Sequence, residues 1–284
     1  MPDEKAGKGR IAVIVFTLDE EIHIGSCLDS VDWADEVFVV DSGSRDSTTS
    51  ICESKGVRVF EHPFTGFGDQ RNWALDALPI TAEWVLILDA DERVPPELAD
   101  EIQEKAISAP ASVGAFMVAR RFHLWGRWLK HSSLYPSYLV RFVRRGRVTY
   151  MNRGHAETET VDGEIQRFRH GLIDENLKGV DDWFARQNRY SRKEAEYEAD
   201  RSIAAGNKVD GVESTGKKSY LKELARRVPG RPLWYFVYAY FLRGGFLEGR
   251  DGFYFCYMRA IYYAMIQIKR YDISKGGSRD GPGA

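Results

Sequence analysis

Cysteine is scarce and scattered: Cys27, Cys52 and Cys256 are the three in 284 residues. An odd number at such distances fits neither a disulfide framework nor the paired spacing of a metal cluster, so they read as reduced thiols of a cytosolic protein. Net charge is nearly absent as well. Forty Lys and Arg face 42 Asp and Glu, a net charge of -2, which removes the overall basic footprint of a nucleic-acid-binding protein. Long hydrophobic runs are missing. The apolar run at 11–16, behind a polar stretch at 1–10, is too short for a secretory signal, so export is not expected. Neither a Gly-x-Gly-x-x-Gly after the first strand nor a Walker-type loop occurs, which excludes the dinucleotide fingerprint and the triphosphate-cradling loop.

What is present is an ordered alternation. Residues 11–16 form a buried-strand run, followed by an acidic turn at Asp19, Glu20 and Glu21 and a helical pattern at Ile22, Cys27, Leu28 and Val31. Residues 36–40 make a second strand ending in Asp41-Ser42-Gly43-Ser44, after which Asp46 can cap a helix over 47–55. A third strand is expected at 57–60, a helix at 67–78, and a fourth strand at 84–88 that runs into Asp89-Ala90-Asp91-Glu92. Pro95 and Pro96 then open a helix over 97–107. Such alternation argues an α/β fold whose sheet carries helices on its faces. Beyond residue 110 come shorter strands at 115–120, 138–144, 148–150 and 157–161, then a charged helix at 180–205 and a Gly- and Ser-containing loop at 206–216.

Asp89 and Asp91 stand at the C-terminal end of a parallel strand, where open α/β sheets place their ligand crevice. Carboxylates one residue apart can turn toward one divalent cation, and hard oxygen donors suit Mg2+ or Mn2+. The alternative is a solvated acidic turn. Asp41 can accept hydrogen bonds from a base or ribose, or cap its own turn. Arg71, on a helix entered through Gly66 and Gly68, can pair with a diphosphate or sit on the surface. His155 and Glu157 alternate along a strand and so share a face. The imidazole can ligate a metal or bind phosphate, and the carboxylate can serve as general base for an acceptor hydroxyl. An ordinary partly buried histidine and a surface glutamate fit the same pattern. Glu159 lies on the face of Glu157, and His170 is a further candidate for a phosphate or metal contact.

Taken in order, Thr17-Leu18-Asp19-Glu20-Glu21, the segment 39–48 around Asp41, the segment 66–74 around Arg71 and the strand end 84–92 resemble the family 2 glycosyltransferases. They resemble in particular the bacterial branch that builds lipopolysaccharide core and other envelope glycans. His155-x-Glu157, His170, Asn188-Arg189-Tyr190-Ser191 and Leu242-Arg243-Gly244-Gly245-Phe246 resemble later landmarks of that branch. The resemblance implies an α/β, GT-A-like nucleotide-sugar-binding domain with a mixed central sheet. It also implies an inverting, metal-dependent transfer from a nucleoside-diphosphate sugar, UDP-linked, to a hydroxyl of a lipid-linked or envelope glycan. Carried over residue by residue, it implies that Thr17, Glu20 and Asp41 hold the base and ribose and that Arg71 faces the diphosphate. Asp89 and Asp91, with His155, would hold Mg2+ or Mn2+, and Glu157 would activate the acceptor. Asp19 stands where the family usually has Asn, and Ala156 splits the His-Glu pair, which keeps Glu159 open as the base. A nucleotidyltransferase acting on a sugar phosphate is the alternative enzyme class, although residues 17–21 offer no triphosphate loop. A non-catalytic scaffold that keeps the fold is the third reading.

The tail changes character: 13 of the 36 aromatics fall between Trp234 and Tyr263. Lys217, Lys218, Lys222, Arg226, Arg227 and Arg231 precede an apolar piece at 233–242, and a second at 253–268 is broken by Arg259. Neither supplies the roughly 20 apolar residues of a spanning helix. Basic and aromatic residues side by side fit a helix lying on an anionic leaflet. A pair of core helices, packed on the catalytic domain or across a homodimer, fits equally. The expected organisation is a catalytic domain over 10–175, a helical region over 176–272, and flexible termini at 1–9 and 273–284. The location that follows is cytoplasmic, peripheral on the cytoplasmic face of the inner membrane.

Overall fold

The computed structural model describes residues 9–153, 156–206 and 230–276. His155, the expected linker beyond Gly206 and the basic residues at 217–227 lie outside the described residues, as do 1–8 and 277–284. The chain divides into two compact units, Met1–Trp128 with Tyr135–Leu177, and Leu129–Leu134 with Lys178–Ala284.

In the first unit, β1 (Ile11–Thr17), β2 (Glu36–Asp41), β3 (Arg58–Glu61) and β4 (Trp84–Asp89) form the parallel half of a mixed sheet, in the order β3-β2-β1-β4. Strand β1 is flanked on both sides and buried throughout, so its sequence is continuously apolar up to Thr17. Alternation along it divides the core. Ile11, Val13 and Val15 pack with α1 (Ile24–Asp29), α2 (Thr48–Ser54) and α4 (Pro96–Ser108). Ala12, Ile14 and Phe16 pack with α3 (Phe67–Ala77) on the other face.

The sheet continues from β4 through β8 (Tyr138–Arg144), antiparallel, to β6 (Val113–Leu124), again antiparallel. Next comes β11 (Glu164–Glu175), parallel to β6, and at the edge β5 (Glu92–Arg93); β7 (Arg127–Trp128) pairs with β6. Trp84 stacks on Phe142 at 4.8 Å between ring centroids, and Phe168 of β11 stacks on Phe116 at 4.9 Å. The mixed α/β expectation is met, with three strands added: the two-residue β5 and β7, and β11. Strand β11 escaped sequence analysis because its N-terminal half is largely exposed and carries Arg167, Arg169 and His170 among its few apolar residues. A separate hairpin, β9 (Val148–Arg153) with β10 (Ala156–Val161), lies off the main sheet.

The second unit is helical: α5 (Gly179–Gly206), α6 (Arg231–Val237), a π-turn at Tyr238–Leu242, a 3-10 turn at Gly245–Glu248, and α7 (Gly249–Ser274). Its core joins Trp183 and Ala195 to Met258, Tyr262 and Ile266. Buried Glu198 takes Arg231 at 3.0 Å and Arg270 at 3.3 Å. Buried Glu248 accepts the His131 amide at 2.6 Å, the Ser132 amide at 3.0 Å and the Ser132 hydroxyl. That carboxylate ties Leu129–Leu134 into this unit. Among the described residues no helix is long and apolar enough to cross a membrane.

Candidate active site

Parallel pairing places Thr17 opposite Asp41 and Phe16 opposite Asp89, so the ends of β1, β2 and β4 share one edge of the sheet. That edge is where α/β sheets bind ligands. Thr17 is buried, its carbonyl accepts the Ser42 amide at 3.0 Å, and its hydroxyl has no hydrogen-bond partner among the described residues. Asp41 caps its own turn: Oδ2 accepts the Gly43 and Ser44 amides at 2.9 and 2.8 Å, and Oδ1 the Ser44 hydroxyl at 2.5 Å. Gly43, at φ 97°, supplies the left-handed backbone that the turn needs.

The turns after β1 and β2 are cross-bonded. Asp19 donates its amide to Ser44 Oγ at 2.8 Å and accepts the Arg45 amide at 2.8 Å, while the Glu20 amide donates to Thr48 Oγ1 at 2.8 Å. Asp19 sits at φ 55°, a conformation that Asp and Asn tolerate better than other side chains, which accounts for an aspartate at a position where the resemblance expects Asn. Asp46 accepts the Thr48 amide at 3.0 Å, but it stands one residue ahead of the N-cap of α2, which is Ser47 and makes no side-chain cap bond, so the expected cap by Asp46 is displaced by one residue. Oε2 of Glu20 lies 2.5 Å from Nδ1 of His23, a ring that is 1% exposed.

Arg71 is buried, which removes the surface alternative. Its Nη1 ion-pairs with Glu157, and its Nη2 lies 3.5 Å from Oδ1 of Asp89. The means of bringing these together is local. The Asn72 side chain donates to the Tyr150 carbonyl at 2.8 Å and accepts the Tyr150 amide at 2.9 Å, fixing β9 against α3. Asn152 accepts the Gly68 amide at 2.8 Å and donates to Asp69 at 2.7 Å. A Cβ on Gly68 would lie 2.9 Å from the Met151 carbonyl carbon, so glycine is what allows this approach. Hairpin register then sets Glu157 opposite Asn152 and Glu159 opposite Tyr150.

Asp89 and Asp91 are engaged differently. Oδ2 of Asp89 lies 2.6 Å from Arg141, whereas Oδ2 of Asp91 accepts the Asn176 side-chain amide at 3.1 Å and its carbonyl accepts the Glu175 amide at 3.1 Å. Behind them is a buried charge network. Arg141 also reaches Glu92 at 3.0 Å, Glu92 accepts the Asp89 amide at 3.0 Å, and Arg120 reaches Asp174 at 3.1 Å. Burial pushes the Asp89 carboxyl up, but Arg141 and then Arg71 outweigh it and hold it below its ordinary value. Burial wins at Glu92, pushed up to about 8 against the pull of Arg141. It wins also at Asp174, pushed up to about 7 against Arg120.

Among the described residues no group of three or more His, Cys, Asp or Glu gathers as a metal cage. The donors present still fit a hard divalent cation, because Mg2+ takes one or two carboxylates and completes its shell with substrate phosphates and water. Asp91 offers such an oxygen. His170 is bound to Glu101 at 2.9 Å, in a tie between β11 and α4. Arg141, Glu92, Asp174, Asn176, His23, Asn72 and Asn152 have no role in the expectations drawn from the sequence. Arg141 did carry a readable signal: an arginine between Val140 and Phe142 in a central strand requires buried carboxylates.

Residues 12–171 match the family described as Glycosyl transferase family 2. The chain belongs to that family and is a glycosyltransferase. It is similar over 268 residues, at 26% identity and 92% coverage of both chains, to the lipopolysaccharide core biosynthesis glycosyltransferase LpsC of Rhizobium meliloti. An uncharacterized glycosyltransferase of Rickettsia bellii is 25% identical, over 86% of this chain and 80% of its own. Among solved structures, mannosyl-3-phosphoglycerate synthase from Rubrobacter xylanophilus aligns with a TM-score of 0.47 at 16% identity, over 74% of this chain and 79% of its own. TarS 1-349 of S. aureus aligns with a TM-score of 0.44 at 14% identity, over 94% and 92%.

Proposed function

We propose that this glycosyltransferase moves a sugar from a nucleoside-diphosphate donor, UDP-linked, to a hydroxyl of a lipid-linked or envelope glycan, with inversion and with Mg2+ or Mn2+. The observation that carries the reading is the convergence on Arg71 of Glu157 and Asp89, residues from three separate segments. Thr17, Glu20 and Asp41 take the base and ribose, and the unpartnered Thr17 hydroxyl supports this. Arg71 faces the diphosphate, where a buried guanidinium offsets charge growing on the leaving oxygen. Asp91 and Asp89, with His155 as the resemblance implies, would hold the divalent ion, and Asp89 also pairs with Arg71 and Arg141. The ion would clamp diphosphate oxygens and stabilise the leaving group. Arg71 and Glu157 neutralise each other in an ion pair. When the diphosphate takes Arg71, Glu157 is released to accept the acceptor's proton, and in-line attack inverts the anomeric centre.

The LpsC relative favours an envelope acceptor. The second unit supports a peripheral place on the cytoplasmic leaflet. Leu233, Trp234, Phe241, Leu242, Phe246 and Leu247 are exposed, and the exposed charges between 233 and 257 are Arg243 and Arg250. Apolar side chains rimmed by cations suit an anionic bilayer. Co-sedimentation with phosphatidylglycerol vesicles, lost in Leu242→Glu, is expected. A dimer lost in the same variant, without vesicle binding, would reject the membrane in favour of a homodimer.

The deciding experiment is a thermal-shift panel of UDP, GDP, CMP and TDP with and without Mn2+, on the wild type and Asp91→Asn. A ligand that binds only the folded state raises apparent stability. A metal-dependent shift with UDP, lost in Asp91→Asn, is the expected result. No shift with any of these nucleotides would overturn the proposed donor.

A further inference from the structure

His23 has both ring nitrogens engaged while its side chain is 1% exposed. The Leu177 backbone amide lies 2.7 Å from Nε2, and Glu20 Oε2 lies 2.5 Å from Nδ1. A backbone amide can only donate, so Nε2 must present its lone pair. The proton of the neutral ring is then on Nδ1, directed at the Glu20 carboxylate. This tautomer follows from the partners alone.

The two partners belong to different parts of the site. Glu20 follows β1 in the turn bonded to the Asp41 loop. Leu177 follows β11, and the two residues before it hold Asp91: the Glu175 amide donates to the Asp91 carbonyl, and the Asn176 side chain donates to its carboxylate, each at 3.1 Å. One imidazole thus spans the gap between the turn that carries Glu20 and the strand end that orients Asp91.

We propose that His23, as the Nδ1-protonated tautomer, is a positioning residue that couples the ribose-side carboxylate Glu20 to the 175–177 segment holding Asp91. The assignment of ligands to Glu20 and Asp91 rests on the function proposed above; the mechanical coupling does not. A second-layer histidine that bonds a carboxylate on one side and a backbone amide on the other fixes both by its rigid ring.

His23→Leu removes both bonds, whereas His23→Gln keeps one donor and one acceptor on a planar amide. Hydrogen exchange at residues 174–177 and 89–92 is expected to rise in His23→Leu and return toward wild type in His23→Gln. UDP affinity without metal and the extra gain from Mn2+ are each expected to fall about 10-fold or more in His23→Leu, the scale for losing a residue that orients a ligand. Wild-type exchange at 174–177 in His23→Leu, or no recovery in His23→Gln, overturns the coupling. If the wild type binds no nucleotide, the proposed function fails and the exchange comparison still decides the coupling. If His23→Leu does not fold, 15N spectra of the wild-type ring decide: a protonated Nε2 overturns the proposal, and a protonated Nδ1 supports it.

Discussion

Arg71 and Glu157 form an ion pair in which the guanidinium is 4% exposed and the carboxylate side chain 23% exposed. A cation so deeply placed needs a counter-ion, and the hairpin carrying Glu157 supplies one. In the function proposed above, a diphosphate reaching Arg71 would compete with Glu157 for it, and that competition would link donor arrival to the state of the base.

Glu157→Gln keeps the shape of the hairpin but cannot take a proton. Donor binding is expected to persist while the transfer rate falls about 100-fold or more, the usual scale for a positioned base. Rate and UDP affinity measured on the same preparation check it. If Glu159→Gln shows that loss instead, the base moves two residues along β10.

Arg141→Leu leaves Asp89 and Glu92 without their shared cation. Asp89 is 37% exposed and keeps Arg71, and Glu92, pushed up to about 8, can shed its charge by taking a proton, so the expected loss is that of an unpaired buried polar group, about 1–3 kcal/mol in urea denaturation. A loss below about 1 kcal/mol would show that the network does not hold the strand ends together.

Asp174 gives the fold a pH dependence of a defined sign. Its carboxyl is pushed up to about 7 in the folded chain, against about 3.9 when unfolded. The folded state thus keeps a proton that the unfolded state has released. The stability this contributes is fully present below about pH 4 and is lost as pH rises through about 7. Relative to Asp174→Asn, the metal-free wild type is expected to lose stability between about pH 5 and pH 8 in parallel denaturant titrations. A constant difference across that range would contradict the assignment.

Gly68→Ala sets two effects against each other. Alanine favours a helix over glycine by about 1 kcal/mol, but its Cβ would lie 2.9 Å from the Met151 carbonyl carbon. Overpacking against backbone costs about 1–3 kcal/mol, so the clash wins and β9 shifts away from α3. A lower melting temperature with a lower transfer rate is expected; a stabilised, fully active variant would mean that the hairpin does not depend on this contact.

The parallel half of the sheet was legible because each strand was a compact apolar run ending in acidic or hydroxyl residues. Thr17, Asp41 and Asp89 came to the same edge by strand register alone. Arg71 was legible as a candidate but not as a buried one. Its burial depends on Asn72 and Asn152, whose bonds reach across more than 70 residues of chain, with separations of 78 for Asn72 to Tyr150 and 84 for Gly68 to Asn152. His23 was hidden for the same reason, since its partner at Leu177 is 154 residues away. Local patterns report which face a side chain takes; they do not report what a distant strand end brings to meet it.

The path of the backbone at Leu129–Leu134 restricts how this enzyme can be divided. Those residues belong with the helical unit, while the chain on either side belongs to the sheet. A fragment ending at Leu177 would retain the segment but lose Glu248, leaving the His131 amide and the amide and hydroxyl of Ser132 without the carboxylate that binds them. No single cut yields two self-sufficient pieces. The carboxylate of Glu248 and the loop it binds are a matched pair, so a tail exchanged for another has to carry residues 129–134 with it.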